Sequence, residues 1–259
     1  MEQYGLKIKG LSKAFPANGS GKVHALQGFD LDIDPGSFLV IVGPNGSGKT
    51  TLLNLLAGDL DPDDGEIKMI NSAGQVDWLQ TPRWKRAIYL ARVHQDPKKG
   101  TAPGMTVWEN FRLASNKDMA PSPFRFSSAS HSRDWFQKRL EAIGLGDKID
   151  SRAADLSQGQ RQLLAVELAL SRDPSFLLLD EHTASLDQKN AIACLETTVK
   201  LSGEKGTTVL MVTHNLLDAL KYGNRLIVMR EGRVHRDFNS HEKEALGIND
   251  LLELCGFIT

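Results

Sequence analysis

Between Phe38 and Thr51 the chain reads F-L-V-I-V-G-P-N-G-S-G-K-T-T, and Gly43 to Thr50 has the G-x-x-x-x-G-K-[ST] spacing of a phosphate-cradling loop. Backbone N–H groups can wrap a di- or triphosphate only where no side chain blocks the approach. That accounts for Gly43, Gly46 and Gly48, with Pro44, Asn45 and Ser47 completing the loop. Lys49 is placed to reach the β- and γ-phosphates, and the Thr50 hydroxyl to ligate magnesium. Thr51 follows in the first turn of a helix whose positive end faces the anion. A second chemical pair is Asp180-Glu181. An isolated Asp-Glu pair is ordinarily surface charge. Here it follows the apolar run Phe176–Leu179 and a phosphate loop, which puts Asp180 where a carboxylate holds magnesium, directly or through water, beside Thr50. Glu181 projects differently and suits a base that polarises an attacking water.

The elements that must position these groups can be read from periodicity. Phe38–Val42 is a continuous apolar run, the pattern of a strand buried in a parallel sheet, and a helix runs from near Lys49 to Ala57, where Gly58 stops it. Phe176–Leu179 and Thr207–Val212 are two more buried strands, the latter leading into Thr213-His214. Leu6–Phe15 reads as a strand and Pro16–Lys22 as a turn. Phe29, Leu31 and Ile33 alternate with Asp30, Asp32 and Asp34, predicting a half-exposed antiparallel strand closed at Pro35-Gly36. Asp61–Gly65 is a turn by composition, Glu66–Ile70 a short strand, and Ala87–Val93 a strand entering His94-Gln95.

Met105–Ala114 and Asp134–Ile143 are expected helices, separated by a Ser- and Pro-rich loop from Asn116 to Arg133. Ser157 is placed to cap a helix running to Leu170. A hairpin is expected about Glu231-Gly232, and Ile248, Leu251, Leu252 and Cys255 mark a final amphipathic helix packing as core or against a second copy. Buried strands alternating with helices give an α/β fold with ligands gathered at the carboxyl ends of the strands.

The totals narrow the function. With 31 Lys and Arg against 32 Asp and Glu over 259 residues, no basic field favours nucleic acid. Cys194 and Cys255 stand far apart, without C-x-x-C pairing, so a reducing compartment and no cysteine metal site are expected, with Cys194 as a core thiol. The start shows no basic segment followed by an apolar run, and no window approaches the roughly eighteen apolar residues of a membrane span. A soluble chain without a signal peptide is therefore expected.

One ordered set of segments then resembles a known family. It comprises Gly43–Thr50, Gln95, Leu156-Ser157-Gln158-Gly159-Gln160, Leu177–Asp180 with Glu181, Ser185-Leu186-Asp187 and His214. The whole is similar to the nucleotide-binding subunit of ABC transporters, and the L-S-x-G-Q segment is what separates it from P-loop ATPases and GTPases at large. The resemblance implies a P-loop NTPase fold, a mixed parallel sheet with an N-terminal antiparallel β subdomain and an α-helical insert. It implies one catalytic domain over residues 1–259, with the helical subdomain at roughly 96–160. It also implies a head-to-tail homodimer burying ATP and Mg2+ between the phosphate loop of one copy and Ser157 to Gly159 of the other.

On the same grounds Gln95 would sense magnesium and the attacking water, His214 would contact the γ-phosphate, Asp187 would organise the dimer contact and Phe15 would stack on adenine. Gln158 stands where the commonest signature has glycine, so its side chain must point away from the phosphate. His182 replaces a common proline and is either a pH-sensitive group or a neutral hydrogen-bonded loop histidine. Asp180 to Asp187, reading D-E-H-T-A-S-L-D, resembles a bacterial uptake subgroup that includes transporters of aromatic amino acids.

The implied partners are transmembrane permease subunits, contacted by the helical insert, and a solute-binding protein. The chain would lie on the cytoplasmic face of the cell membrane, held by the permease. Trp108 and Phe111 would either meet the permease or pack the insert. The alternatives are a soluble ABC ATPase of an assembly system such as iron–sulfur cluster assembly, an exporter motor, or a regulatory module that binds without turnover, which a placed Glu181 and His214 argue against.

Overall fold

The structure, a computed structural model, describes residues 2–17, 21–115 and 132–258. Most of the expected Asn116–Arg133 loop therefore lies outside the described residues. The chain opens with β1 (Gly5–Pro16) and β2 (Lys22–Ile33), paired antiparallel with Leu6 opposite Ile33 and Ile8 opposite Leu31. Phe29, Leu31 and Ile33 are buried while Asp30 and Asp32 face solvent, as the alternation requires. After the Pro35-Gly36 turn come β3 (Phe38–Val42), the phosphate loop and α1 (Lys49–Ala57). Gly58 ends α1 in the left-handed conformation, donating its N–H to Asn54 O and Leu55 O.

β4 (Asp64–Asn71) and β5 (Gly74–Asp77) complete an antiparallel sheet of order β2-β1-β4-β5. β4 starts inside the stretch that composition marks as a turn, because Ser12 of β1 gives Asp64 a strand partner. Next come α2 (Arg83–Tyr89) and β6 (Leu90–Val93). The strand expected from Ala87 is thus shorter: its parallel partner begins at Phe176, opposite Leu90, and residues before that have no ladder to join and finish a helix.

α3 (Val107–Ala114) starts on a capping box between Thr106 and Glu109, and α4 (Arg133–Ala142) on the Ser132 hydroxyl. α5 (Gln158–Leu170) starts on Ser157, whose hydroxyl accepts from Gln160 N while Gln160 Oε1 accepts from Ser157 N. Beyond it lie β7 (Phe176–Asp180), α6 (Gln188–Lys205), β8 (Thr208–Val212) and α7 (Leu216–Lys221). The chain ends with β9 (Arg225–Arg230), β10 (Arg233–Phe238), α8 (Ser240–Glu244) and α9 (Ile248–Leu254). The second sheet has the order β10-β9-β3-β8-β7-β6, parallel throughout except for β10 at its edge.

Three apolar clusters hold this frame. One, with Trp78 and Phe176, lies between the antiparallel sheet, α1 and one face of the mixed sheet; another fills the opposite face under α5, α6 and α9. Leu251 and Cys255 of the last helical segment belong to the latter, so that helix is core, and Cys194 is there too, its thiol pushed up to about 12 by burial. The third joins α3 and α4 to Leu164 and Leu168 of α5. Phe111 is fully buried in it, stacked on Phe136 at 3.8 Å, and half-buried Trp108 stacks on Phe111. Both rings therefore pack the insert. Fully buried Glu167 of α5 is paired with Arg139 of α4, tying the insert to the helix that Ser157 starts.

Candidate functional site

The register of the parallel strands decides the site. Asp180 pairs with Val212, Val93 with Leu179 and Ile41 with Val212, so four strands end side by side. Their carboxyl ends lead into Gly43, His94-Gln95, Glu181 and Thr213-His214.

In the phosphate loop the glycines answer to two different constraints. A Cβ on Gly43 would lie 2.2 Å from Met229 O, and one on Gly48 2.3 Å from Ala25 O, with φ at +147° and +100°. The close approach of β9 and β2 is by itself enough to demand glycine at these two positions. Gly46, at φ +79°, has nothing near its Cβ position and is the glycine facing open space. The hairpin turn between β9 and β10 supports the loop from beneath, with Gly232 N donating to Ser47 O at 3.1 Å. Lys49 is 5% exposed, and its Nζ donates to Gly43 O, Pro44 O and Ser47 Oγ at 2.7, 2.9 and 3.3 Å. Burial pulls its pKa down, and the charge of Glu181 partly offsets this.

Two clefts meet at Thr50 and Glu181. One is lined by Phe15, Asn45 to Thr51, Glu181 and His214, which puts the Phe15 ring beside the loop that would take the phosphates. The other is lined by Thr50, Gln95, Gln158, Asp180, Glu181 and Ser185. Thr50, Gln95 and Asp180 offer it a hydroxyl, an amide and a carboxylate. Hard oxygen donors of this kind suit magnesium, which keeps water and phosphate oxygens as its other ligands. Among the described residues no group of three or more His, Cys, Asp or Glu is placed to hold a metal ion.

Glu181 sits at φ +50°, a conformation costing a non-glycine residue about 1–3 kcal/mol, and its N–H donates to Val212 O at 3.0 Å. His214 Nε2 lies 2.5 Å from Glu181 Oε1, so the two expected catalytic groups are in contact. Gln158 is exposed on that second cleft, and Ser157 is exposed at the start of α5. Gly159 lies where α5 approaches α6: a Cβ there would meet Asn190 Cγ at 2.8 Å, so a larger residue would displace the Asn190 side chain. Asp187 caps α6, accepting from Asn190 N and Asn190 Nδ2, and those bonds hold its carboxyl below the usual range.

Sequence reasoning missed three residues that build the site. Arg92 of β6 donates from Nη2 to Asp180 Oδ2 at 2.5 Å; its signal is a single cation inside an apolar strand. Gln162, fully buried on α5, donates to His94 O at 3.1 Å and so ties the helix that Ser157 starts to the residue before Gln95. Asn110 on α3, also buried, pins the segment beyond Gln95 through Ala102 N and O, Met105 O and Thr106 O. Neither Gln162 nor Asn110 carries a local signal.

His182 is 1% exposed, and its Nε2 is buried with no partner among the described residues, so it is neutral but not hydrogen-bonded there. Burial pulls its pKa from 6.5 to about 4. The unfolded chain therefore binds a proton that the folded chain refuses between those values, and stability falls as pH drops through that window. Chemical unfolding at pH 7 and pH 5 should show a loss in the native chain that is about 2 kcal/mol smaller in His182→Gln, any remainder coming from groups such as His94, which burial also pulls down. An equal loss in both would place the titration elsewhere.

A family model described as ABC transporter matches residues 26–184. The chain is 40% identical over 251 residues to the tyrosine transport ATP-binding protein of Clostridioides difficile (strain R20291), covering 96% of this chain and 97% of that protein. It is 32% identical over 236 residues to the taurine import ATP-binding protein TauB of Jannaschia sp. (strain CCS1), covering 90% and 81%. Among solved structures, the dimeric post-hydrolysis state of the ATP-binding cassette MJ0796 bound to ADP and Pi aligns with a TM-score of 0.73 at 28% identity, covering 91% and 98%. The ADP conformation of the cassette MJ1267 aligns with a TM-score of 0.76 at 27% identity, covering 98% of each chain.

Proposed function

Because the chain belongs to the ABC transporter family and is an ATP-binding, ATP-hydrolysing cassette of it, we propose that it is the motor subunit driving uptake of a small solute, an aromatic amino acid in the first instance, through a separate permease. The observation that carries the mechanism is that Thr50, Gln95, Asp180 and Glu181 line one cleft at the carboxyl ends of adjacent strands, next to the phosphate loop. The loop from Gly43 to Thr51 takes the phosphates of ATP, Lys49 reaches the β- and γ-phosphates, and Phe15 stacks on adenine. Thr50, Asp180 and Gln95 are the residues that would hold magnesium. When bound, that ion neutralises phosphate charge as the γ-phosphoryl leaves. Glu181 polarises the attacking water, and His214 orients Glu181 and meets the γ-phosphate.

A second copy, facing the opposite way, supplies Ser157, Gln158, Gly159 and Gln160 to the same ATP, with Asp187 at the contact. The exposure of Ser157 and Gln158, together with the dimeric cassette among the structural relatives, supports this arrangement. Residues 1–259 act as one ATPase domain whose helical subdomain, roughly 96–160, docks on the permease. The bonds from Gln162 to His94 and from Asn110 to the segment after Gln95 favour that surface, because occupancy at Gln95 would be felt there. Among the described residues no helix is long and apolar enough to cross a membrane, so attachment to the cytoplasmic face of the membrane would run through the permease. A solute-binding protein would complete an importer.

The test is co-purification of the tagged chain from cells of its source. Recovery from the membrane fraction, as a pair with two permease subunits, is expected. Recovery only in a soluble complex would replace this reading with that of an assembly ATPase.

A further inference from the structure

Strand β6 reads Leu90-Ala91-Arg92-Val93, so its one charge must find partners at the edge of an apolar sheet. The Arg92 side chain is 10% exposed and divides its guanidinium among three elements. Nη1 donates to Asn54 Oδ1 on α1 at 2.8 Å and to Asp59 Oδ2 just beyond α1 at 3.1 Å; Nη2 donates to Asp180 Oδ2 at the end of β7 at 2.5 Å. Asn54 lies four residues after Thr50, on the same face of α1 and one turn along. Gln95 lies three residues after Arg92 in the same chain segment. One rigid, planar group is thus tied to the helix face of Thr50, to the Asp180 carboxylate and to the strand that delivers Gln95.

We infer that Arg92 is the positioning residue of the magnesium site, a fork that sets the separation of Thr50 from Asp180 and occupies one carboxylate oxygen so that only Oδ1 remains for the ion. This rests on the reading of Asp180 as a magnesium ligand. A carboxylate at a strand end is otherwise free to rotate, and partners that orient a ligating group are worth about 10–100-fold in metal affinity. A lysine cannot substitute, because a single ammonium on a flexible stem does not bridge Asn54 and Asp180 in a fixed geometry.

The readout is the free Mg2+ concentration that half-saturates binding of a fluorescent ATP analogue, with the analogue's affinity in EDTA measured alongside. Arg92→Met is expected to raise the Mg2+ midpoint about tenfold or more while the affinity in EDTA changes less than twofold. Arg92→Lys, which keeps the charge and lacks the fork, should raise it as well. Asn54→Ala, which removes only the arm to α1, should move the midpoint in the same direction and covers the case in which Arg92→Met does not fold. An unchanged midpoint in Arg92→Met or in Asn54→Ala, full restoration by Arg92→Lys, or an equal loss of affinity in EDTA overturns the inference. Asp180→Asn separates the two readings. If it leaves the Mg2+ midpoint unmoved, the assignment of Asp180 falls; if it moves the midpoint and the Arg92 variants do not, only the role of Arg92 falls.

Discussion

Replacing Glu181 with glutamine is expected to lower ATP turnover by about 10²–10⁴-fold and to leave ATP binding in place. General-base assistance is worth about that factor, equivalent to roughly 3–5 kcal/mol of barrier. Glutamine keeps the length and shape of glutamate and can still meet His214, which sits 2.5 Å from Glu181 Oε1, so the pocket retains its form. The same backbone must be accommodated at φ +50°, and the Glu181 N–H bond to Val212 O is untouched by the change. What disappears is the proton acceptor. With ATP and magnesium present, closed dimers should therefore accumulate, read as doubled mass in size-exclusion chromatography, while phosphate release nearly stops. An undiminished rate in this variant removes Glu181 from the mechanism.

Lys49→Ala should act in two separable ways. Without nucleotide, Gly43 O and Pro44 O lose their donor in a buried setting, and stability should fall by about 1–3 kcal/mol. With nucleotide, the cation proposed to meet the β- and γ-phosphates is missing. In the native chain, ATP at 100 times its dissociation constant adds about 2.7 kcal/mol of stability, seen as a rise of a few degrees in Tm. In Lys49→Ala that rise should vanish, and hydrolysis with it. Thermal unfolding with and without ATP distinguishes the two effects, because only the second depends on nucleotide. An ordinary ATP-induced rise, or normal activity, would undo the phosphate-loop assignment.

The parts of the fold that were legible are those whose residues answer to local rules. β3 and α1 fall where the apolar run, the loop and Gly58 place them, and α5 begins at Ser157 because a hydroxyl there can cap it. α6 is the longest helix among those described, and its sequence does not announce it. Its buried face includes Thr198 and Ser202, whose hydroxyls bond back to Cys194 O and Thr198 O at 2.7 Å, so the stripe facing the core is partly polar and the apolar period is blurred. α2 and β5 are short, with exposed Trp84, Ile88 and Val76, and exist because neighbours receive them: β5 pairs along β4, and Trp78, immediately after β5, donates its ring N–H to Leu56 O in the core.

The candidate site divides the same way. Residue type and spacing pointed to the phosphate loop, the carboxylate pair at the end of β7 and the capped start of α5, because each is a short motif whose chemistry is contained in its own few residues, whereas Gln95 and His214 were expected there only through the family resemblance. Only the tertiary structure decided that Gly43 and Gly48 must be glycines against the backbone of Met229 and Ala25, and that Phe111 belongs to the insert core. It alone decided that Arg92 holds Asp180 and that Gln162 reaches His94. Those pairs are separated by up to 186 residues, as Gly43 is from Met229. Contacts of that range depend on strand order and register, which a chain reveals only when its sheet has closed.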